Sequence, residues 1–333
     1  YFYTKGVRKA REDFPIPQAQ AALSKYLFVS MFMIFVCALY GFVGALVINA
    51  NLSKDPLFVP GNAAHAAGLI NGAASFFTAI ALGYFGATAV RCGLEQPRLF
   101  VAYVLINIYI EAFALYGLIL ALVTVAKASA TKVDLAPDVA VPFAIVDILA
   151  NYGGIIGSVL PGYAIMQVGV VRPDLVMKCM IPVVMSGVTG IYGLISCIVE
   201  AGTWPPAGDN QLAGLLYIVS SVIIAYVGYH GVRGMEEDPS TFVGMVVKLI
   251  NGQSVGLAGL VYSLVVTGSR KQAMGDDGAP GDSATMAPTT LLAKGLVGGS
   301  PVFGLALLSL PLLFALLLGA RRRPSTLGAA LLA

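Results

Sequence analysis

Glu111, a carboxylic acid inside the long apolar run 98–126, is the residue of this sequence best placed to do chemistry. An ionised acid near the centre of a bilayer costs at least about 2.5–3.5 kcal/mol. Unless a partner stabilises its charge, Glu111 is expected to be protonated. A group in that state can carry a proton through lipid in neutral form and release it where a cation or water waits. The plainer alternative is a glutamate hydrogen-bonded within a helix bundle as a fixture. Asn107 lies one helical turn before Glu111 on the same face, and Tyr116 lies five residues after it. Either residue can bond the Glu111 carboxyl or a neighbouring helix.

Other polar residues are weaker candidates. Gln253 is a silent position or part of a sodium site. Sodium needs several oxygen ligands and no companion Gln or Thr cluster surrounds Glu111, so the proton is preferred as the ion. Lys248 is expected to snorkel toward the nearer membrane face, with pairing to an acid of a neighbouring chain as the alternative. Asp147 and Glu200 read as interfacial acids, and His65 and His230 as solvated residues near span ends. Cys37, Cys92, Cys179 and Cys197 have no spacing that suggests a metal site or a disulfide framework. There is no GxxxxGK[ST] loop, no HExxH and no Ser/His/Asp set. No catalytic residue, metal or cofactor is therefore expected, and the chain should not hydrolyse nucleotide by itself.

The position of Glu111 is one of three equivalent ones. Pro97, Pro173 and Pro239 are each followed, nineteen residues later, by Tyr116-Gly117-Leu118-Ile119, Tyr192-Gly193-Leu194-Ile195 and Ala258-Gly259-Leu260-Val261. Arg91 and Arg233 stand six residues before the first and third prolines. Fourteen residues after each proline come Glu111, Gly187 and Gln253. Fourteen residues are about 21 Å of helix, which is near mid-bilayer. Three helical hairpins with equivalent returning helices follow from this spacing, and only the first of them carries an acid.

The elements that position these residues are membrane helices. The 333 residues are 58% hydrophobic and only 11% charged, against about 25% charged in soluble domains. Such a chain cannot cover a water-facing surface, which excludes a cytosolic enzyme, a disordered chain and a nucleic-acid binder. Continuous apolar runs of about 20 residues or more mark helices rather than barrel strands. Eight spans are expected, at 25–50, 63–91, 98–126, 142–170, 175–199, 210–232, 241–267 and 302–320. The chain is all-α and polytopic. A polar segment 1–24 precedes an extra helix 25–50. The hairpins occupy 63–126, 142–199 and 210–267, and a low-complexity loop 268–300 leads to a final helix 302–320 and a tail 321–333. The first helix is too long for a secretory signal and is read as retained. The chain begins with Tyr1 rather than Met, so further N-terminal sequence is expected.

Eight spans place both termini on one side. Thirteen basic residues fall there, including Lys5, Arg8, Lys9, Arg11, Arg98, Arg172, Arg233 and Arg321 to Arg323, against six on the other side. The asymmetry predicts cytosolic termini. It also puts the sequon Asn51-Leu52-Ser53 on the non-cytosolic side. Gly68 with Gly72, Gly153 with Gly157, and Gly252 with Gly256 have the four-residue spacing that lets helices approach closely in lipid.

Over residues 63–267 the sequence resembles the proteolipid (c-type) subunits of V-type ATPases. Val171-Arg172-Pro173-Asp174-Leu175-Val176-Met177-Lys178, running through Ile181-Pro182-Val183-Val184-Met185-Ser186-Gly187 to Ile191-Tyr192-Gly193-Leu194-Ile195, is similar to the first hairpin of such a protein. Gly231-Val232-Arg233-Gly234 with Phe242-Val243-Gly244-Met245 resembles its second hairpin. So does Glu95-Gln96-Pro97-Arg98-Leu99-Phe100-Val101 followed by Glu111-Ala112 and Leu115-Tyr116-Gly117-Leu118-Ile119, including the ion-carrying glutamate. The added N-terminal helix, and a glutamate in the first hairpin alone, are similar to the larger c″-type proteolipid. This chain has three hairpins where that variant has two.

The resemblance implies proteolipid-like hairpins in the membrane rotor ring of a V-type proton-pumping ATPase, with Glu111 as the proton carrier. It implies as partners membrane lipids, other proteolipid subunits in a hetero-oligomeric ring, a stator subunit supplying an arginine, and central-stalk subunits at the cytosolic turns. ATP hydrolysis would belong to other subunits. The location implied is a vacuolar or other acidic endomembrane. Loss of the acid from two repeats and the added eighth helix also suit a non-conducting structural or assembly proteolipid-like protein, and that alternative stays open on sequence.

Overall fold

The computed structural model describes residues 17–52 and 57–274. Seven long apolar helices make up almost all of this. They are α1 (Pro17–Leu52), α2 (Gly61–Glu95), α3 (Phe100–Thr131), α4 (Pro137–Val171), α5 (Ile181–Ala201), α6 (Gln211–Glu237) and α7 (Phe242–Met274). Each has the length and composition to cross a membrane. The expected eighth helix 302–320, the tail 321–333, most of the loop 268–300 and Ser53 of the sequon lie outside the described residues. Asn51 is at the end of α1, and its side-chain amide donates to the Val47 carbonyl at 2.9 Å.

The three prolines make three copies of one turn. Each begins a single 3-10 turn, at Pro97–Leu99, Pro173–Leu175 and Pro239–Thr241. Proline fits there because its ring fixes φ and its missing N–H would have no helical partner. Its Cδ also drives the preceding residue out of the helical region. Gln96 (φ −134°), Arg172 (φ −127°) and Asp238 (φ −138°) all comply. Their amides still close the preceding helices, donating to Cys92, Val168 and Gly234 carbonyls at 2.9, 2.8 and 3.0 Å. At the third turn Asp238 accepts hydrogen bonds from the Ser240 hydroxyl and amide, which hold its carboxyl below the usual range. Val176–Cys179 adds one helical turn before α5.

The hairpins α2–α3, α4–α5 and α6–α7 stack side by side in two rows. In the first row α2 packs on α4 and α4 on α6; in the second α3 packs on α5 and α5 on α7. Each hairpin's first helix also touches the second-row helix of the hairpin before it, α4 against α3 and α6 against α5. The helix α1 packs on both α2 and α3, so it stands to the first hairpin as α3 stands to the second. Central α4 is the most enclosed helix, while α1 and α7 at the two flanks are the most open. Their outward faces carry Phe28, Phe32, Phe35 and Phe42 on α1, and Val243, Val247 and Ile250 on α7, all exposed. Lipid-facing surface is expected to be apolar in this way.

The repeated glycines are what bring each hairpin together. A Cβ on Gly117 would fall 2.3 Å from Ala74 Cβ, one on Gly193 2.2 Å from Ala150 Cβ, and one on Gly259 3.0 Å from Leu216 Cβ. Glycine and partner are 43 positions apart in all three hairpins. Glycine is needed there because a side chain would push the two helices apart. Between hairpins, Gly153 and Gly157 of α4 meet Ser221 of α6, and within the third hairpin Gly252 and Gly256 of α7 meet Ile223 and Ser220 of α6. The pair Gly68 and Gly72 differs from expectation, since nothing lies within 4 Å of either position. They are on the side of α2 that faces away from the other described helices, so their spacing serves no contact among the described residues.

Candidate functional site

Glu111 sits in the second row, on α3, and is half-buried. Two residues of α1 are placed against it: Cys37, fully buried, and Tyr40, half-buried. Both lie within electrostatic reach of the Glu111 carboxyl. Glu111 Oε1 is itself buried with no hydrogen-bond partner among the described residues. A buried carboxyl oxygen without a donor is costlier to bury as an ion than as a neutral acid.

The placement of α1 follows from its contacts. Asn71 of α2 donates its side-chain amide to the Gly41 and Tyr40 carbonyls at 3.2 and 3.4 Å. Gly44 makes room for the Asn71 side chain, and Gly93 of α2 makes room for the Tyr26 ring. Toward the proline-turn end, Tyr103 of α3 donates to the Tyr26 carbonyl at 2.9 Å and its hydroxyl also bonds Ser30. Tyr26 packs edge-on against Phe100 at 5.3 Å between centroids.

The two equivalent positions are filled differently, each by the second-row helix of the preceding hairpin. At Gly187 on α5, the space a side chain would enter is lined by the Tyr109 ring of α3, 3.4 Å from an added Cβ. At Gln253 on α7, Thr189 of α5 donates its hydroxyl to Oε1 at 3.4 Å, and Nε2 is buried without a partner. At Glu111 the corresponding helix is α1. The Glu/Gly/Gln positions thus share one geometry, and only the first can ionise.

The residues expected from sequence to support Glu111 have other immediate contacts. Asn107 is fully buried and donates to the Tyr103 carbonyl of its own helix at 2.8 Å. Tyr116 packs edge-on against Phe113 and lies beside Gly190 of α5. Gln253 belongs to the third hairpin and is bonded to Thr189. Tyr40 and Cys37 were not singled out by sequence reasoning. The one signal for them was a tyrosine in the middle of the apolar span 25–50, flanked by Gly41 and Gly44.

Two further acids also turn inward rather than lying exposed at an interface. Asp147 of α4 is fully buried; its Oδ2 accepts from Asn151 Nδ2 at 2.8 Å and its Oδ1 has no partner. Glu200 of α5 is 1% exposed and fully engaged. Its Oε1 accepts from the Gly208 amide at 2.8 Å, and its Oε2 from Asn210 Nδ2 at 2.9 Å. Lys248 points outward from α7 and is exposed, as is His230 on α6, where it packs against Tyr226 and Tyr229. Among the described residues no three His, Cys, Asp or Glu side chains gather as a metal site would require.

Comparison with known proteins places this geometry. The family model for the ATP synthase C subunit matches residues 65–124 and 143–199, the first two hairpins. The chain is 35% identical to the V-type proton ATPase c′ subunit of Neurospora crassa over 139 residues, 37% of this chain and 83% of that protein. It is 37% identical to the V-type proton ATPase 16 kDa proteolipid subunit of Chrysotila carterae over 156 residues, 40% of this chain and 94% of that one. The V-type proton ATPase 16 kDa proteolipid of Rattus norvegicus is 33% identical over 130 residues, 36% of this chain and 84% of that one. With two hairpins matched and most of each relative covered, the chain belongs to the V-type ATPase proteolipid family.

Proposed function

We propose that this protein is a proteolipid of the membrane rotor of a V-type proton ATPase and that Glu111 is its proton carrier. The observation that carries the reading is the Glu111 carboxyl itself. It is the one ionisable side chain among three geometrically equivalent positions, half-buried in the second row, with one oxygen enclosed and unsatisfied. A proton taken up there neutralises the side chain, so the cost of moving it past lipid falls. A cation presented by a second protein would favour the ionised form and expel the proton. In this reading that cation is an arginine of the stator.

The ion in this reading is H⁺. A sodium site would need a set of oxygen ligands, and the α1 side chains beside Glu111 are a thiol and a phenol. Gly187 and Gln253 carry no charge, so one turn of three hairpins moves one proton. The three proline turns lie at one end of the bundle and bear Arg98, Arg172, Lys178 and Arg233. We place this end in the cytosol, where it meets the central stalk, in an acidic endomembrane. Other proteolipids complete the ring, and the nucleotide chemistry belongs to soluble subunits.

The test is Glu111→Gln in membranes that contain no other copy of this chain. Glutamine keeps the shape and removes the exchangeable proton. ATP-driven acidification is expected to fall to background while the chain still assembles. Carbodiimide, which attacks protonated buried carboxyls, is expected to label the wild-type chain at Glu111 and to miss the variant. Acidification that persists in the assembled variant overturns the reading.

A further inference from the structure

Asp147 is a second acid inside the bundle, and proton carriage by Glu111 does not use it. The first-row partners of the repeated glycines are Ala74, Ala150 and Leu216. Three residues before them stand Asn71, Asp147 and Ala213. Asn71 reaches across to the backbone of α1. Asp147 bonds instead within its own helix, taking the Asn151 amide on Oδ2 at 2.8 Å. Both side chains are fully buried. Two oxygens of the pair, Asp147 Oδ1 and Asn151 Oδ1, are enclosed with no hydrogen-bond partner among the described residues. If the acid is ionised, both are acceptors and the pair lacks a donor twice over.

The helices around α4 bring no positive charge to this place. From α5 comes the Cys197 thiol, within electrostatic reach of Asp147 and of Glu200. Glu200 is filled by Gly208 and Asn210. From α6 comes Tyr217, whose hydroxyl bonds Ser196 of α5. On α2, His65 is exposed, six residues from Asn71. On α3 the residue equivalent to Cys197 is Ala121; Glu111 lies ten residues before it, and the exposed Lys127 six after. An uncompensated carboxylate enclosed in this way is the costly arrangement, and a neutral acid is not.

We propose that the Asp147–Asn151 pair is a second proton-binding site, closed and permanently occupied. Asp147 Oδ1 carries the proton and donates it to Asn151 Oδ1, while Asn151 Nδ2 donates back to Asp147 Oδ2. One hydrogen thereby turns two orphaned acceptors into a bonded pair, and acid and amide satisfy each other with no help from another helix. The proton is bound with the fold and is not exchanged during turnover. Being enclosed within the chain, it stays out of reach of carbodiimide. This site is independent of Glu111 being the carrier.

The experiment is infrared spectroscopy of the full chain reconstituted in lipid at neutral pH, with and without carbon-13 at its aspartate carboxyls. A protonated carboxyl has a C=O stretch separate from the bands of a carboxylate. The Glu111→Gln variant removes the carrier's contribution and leaves Asp147 untouched. The other described aspartates, Asp134, Asp138, Asp174, Asp209 and Asp238, sit in turns, connections or a first helical turn, where they ionise. One acid band is expected to survive Glu111→Gln, to shift with carbon-13 aspartate and to vanish in Asp147→Asn. In Asn151→Leu it is expected to persist and to move to the higher frequency of an acid without an acceptor. Absence of an aspartate acid band means that Asp147 is ionised, with water or a cation on its free oxygen, and overturns the proposal. A band that Asn151→Leu leaves in place overturns the pairing. Should either variant fail to fold, the carbon-13 shift in the wild-type chain still decides whether Asp147 holds its proton.

Discussion

Glu111 and Glu200 are both carboxyls held inside the same bundle, yet their surroundings are opposite. Glu200 closes α5 and grips the connection that follows it. Its two oxygens take the Gly208 amide and the Asn210 side chain, Asn210 reaches on to Thr267 of α7 at 3.3 Å, and Arg270 of α7 donates to the Pro205 carbonyl at 3.0 Å. Gly208, with φ +69°, allows the bend that turns its amide toward the acid. Glu111 has no such enclosure: one oxygen is unsatisfied, and the groups beside it come from a helix outside the hairpins. A carboxyl whose two oxygens are taken by fixed donors is held in one arrangement. A carboxyl with an unfilled oxygen keeps room for another partner. Glu200 is thus a clasp for the second and third hairpins, and Glu111 is the group proposed to exchange.

The largest expected effect separates the two directly. Glu111→Gln should remove proton translocation and leave thermal stability near wild type, whereas Glu200→Ala should do the reverse. Truncating Glu200 orphans two buried donors, which predicts a loss of about 3 kcal/mol, read as a lowered unfolding temperature in lipid or detergent. A Gly187→Glu change in the Glu111→Gln background should not restore transport, since the Tyr109 ring lines the space the new acid would need. Next in size is Gly193→Leu, which drives a side chain into Ala150 and should cost about 1–3 kcal/mol in the same melting assay. Asp147→Asn should be milder, within about 1 kcal/mol, with pumping retained, because an amide oxygen can still accept from Asn151. A full loss of pumping there would break the contrast and add a second exchanging acid.

The smallest effect is expected at the third turn. The Asp238 carboxyl is held low by Ser240, so its contribution to folding is present above the ordinary carboxylate range and fades as pH falls through the depressed value. The protection of the Ser240 amide, referred to its intrinsic exchange rate at each pH, should fall on acidification, and Asp238→Ala should show the lowered protection at neutral pH.

Much of the fold was legible in the sequence, for physical reasons that are local. Hydropathy located the spans because each helix must satisfy its own backbone in lipid. The three prolines gave the turns because one residue's ring and the clash with its predecessor suffice to end a helix there. Glycines 117, 193 and 259 read as equivalent, and they meet equivalent partners. The glycine pair 68 and 72 read like the others but contacts nothing among the described residues, because spacing along a helix does not say which face meets a neighbour. Asn107 was placed correctly on the face of Glu111, yet it donates to the Tyr103 carbonyl four residues back, the local bond its buried amide finds first.

What the sequence determined by itself was the depth of Glu111 and its singularity among three repeats, since both follow from counting residues at 1.5 Å each from a fixed turn. Only the tertiary structure decided what surrounds it. Whether Tyr40 lies beside the carboxyl depends on how α1 is rotated and seated. That seating is set by Asn71, Gly44 and Gly93, which are remote from Glu111 in the chain. The same holds for Glu200, whose depth suggested an interface and whose partners, eight and ten residues on, fold back to bury it. Contacts between helices are fixed by packing in three dimensions, and a one-dimensional pattern carries only the faces available to make them.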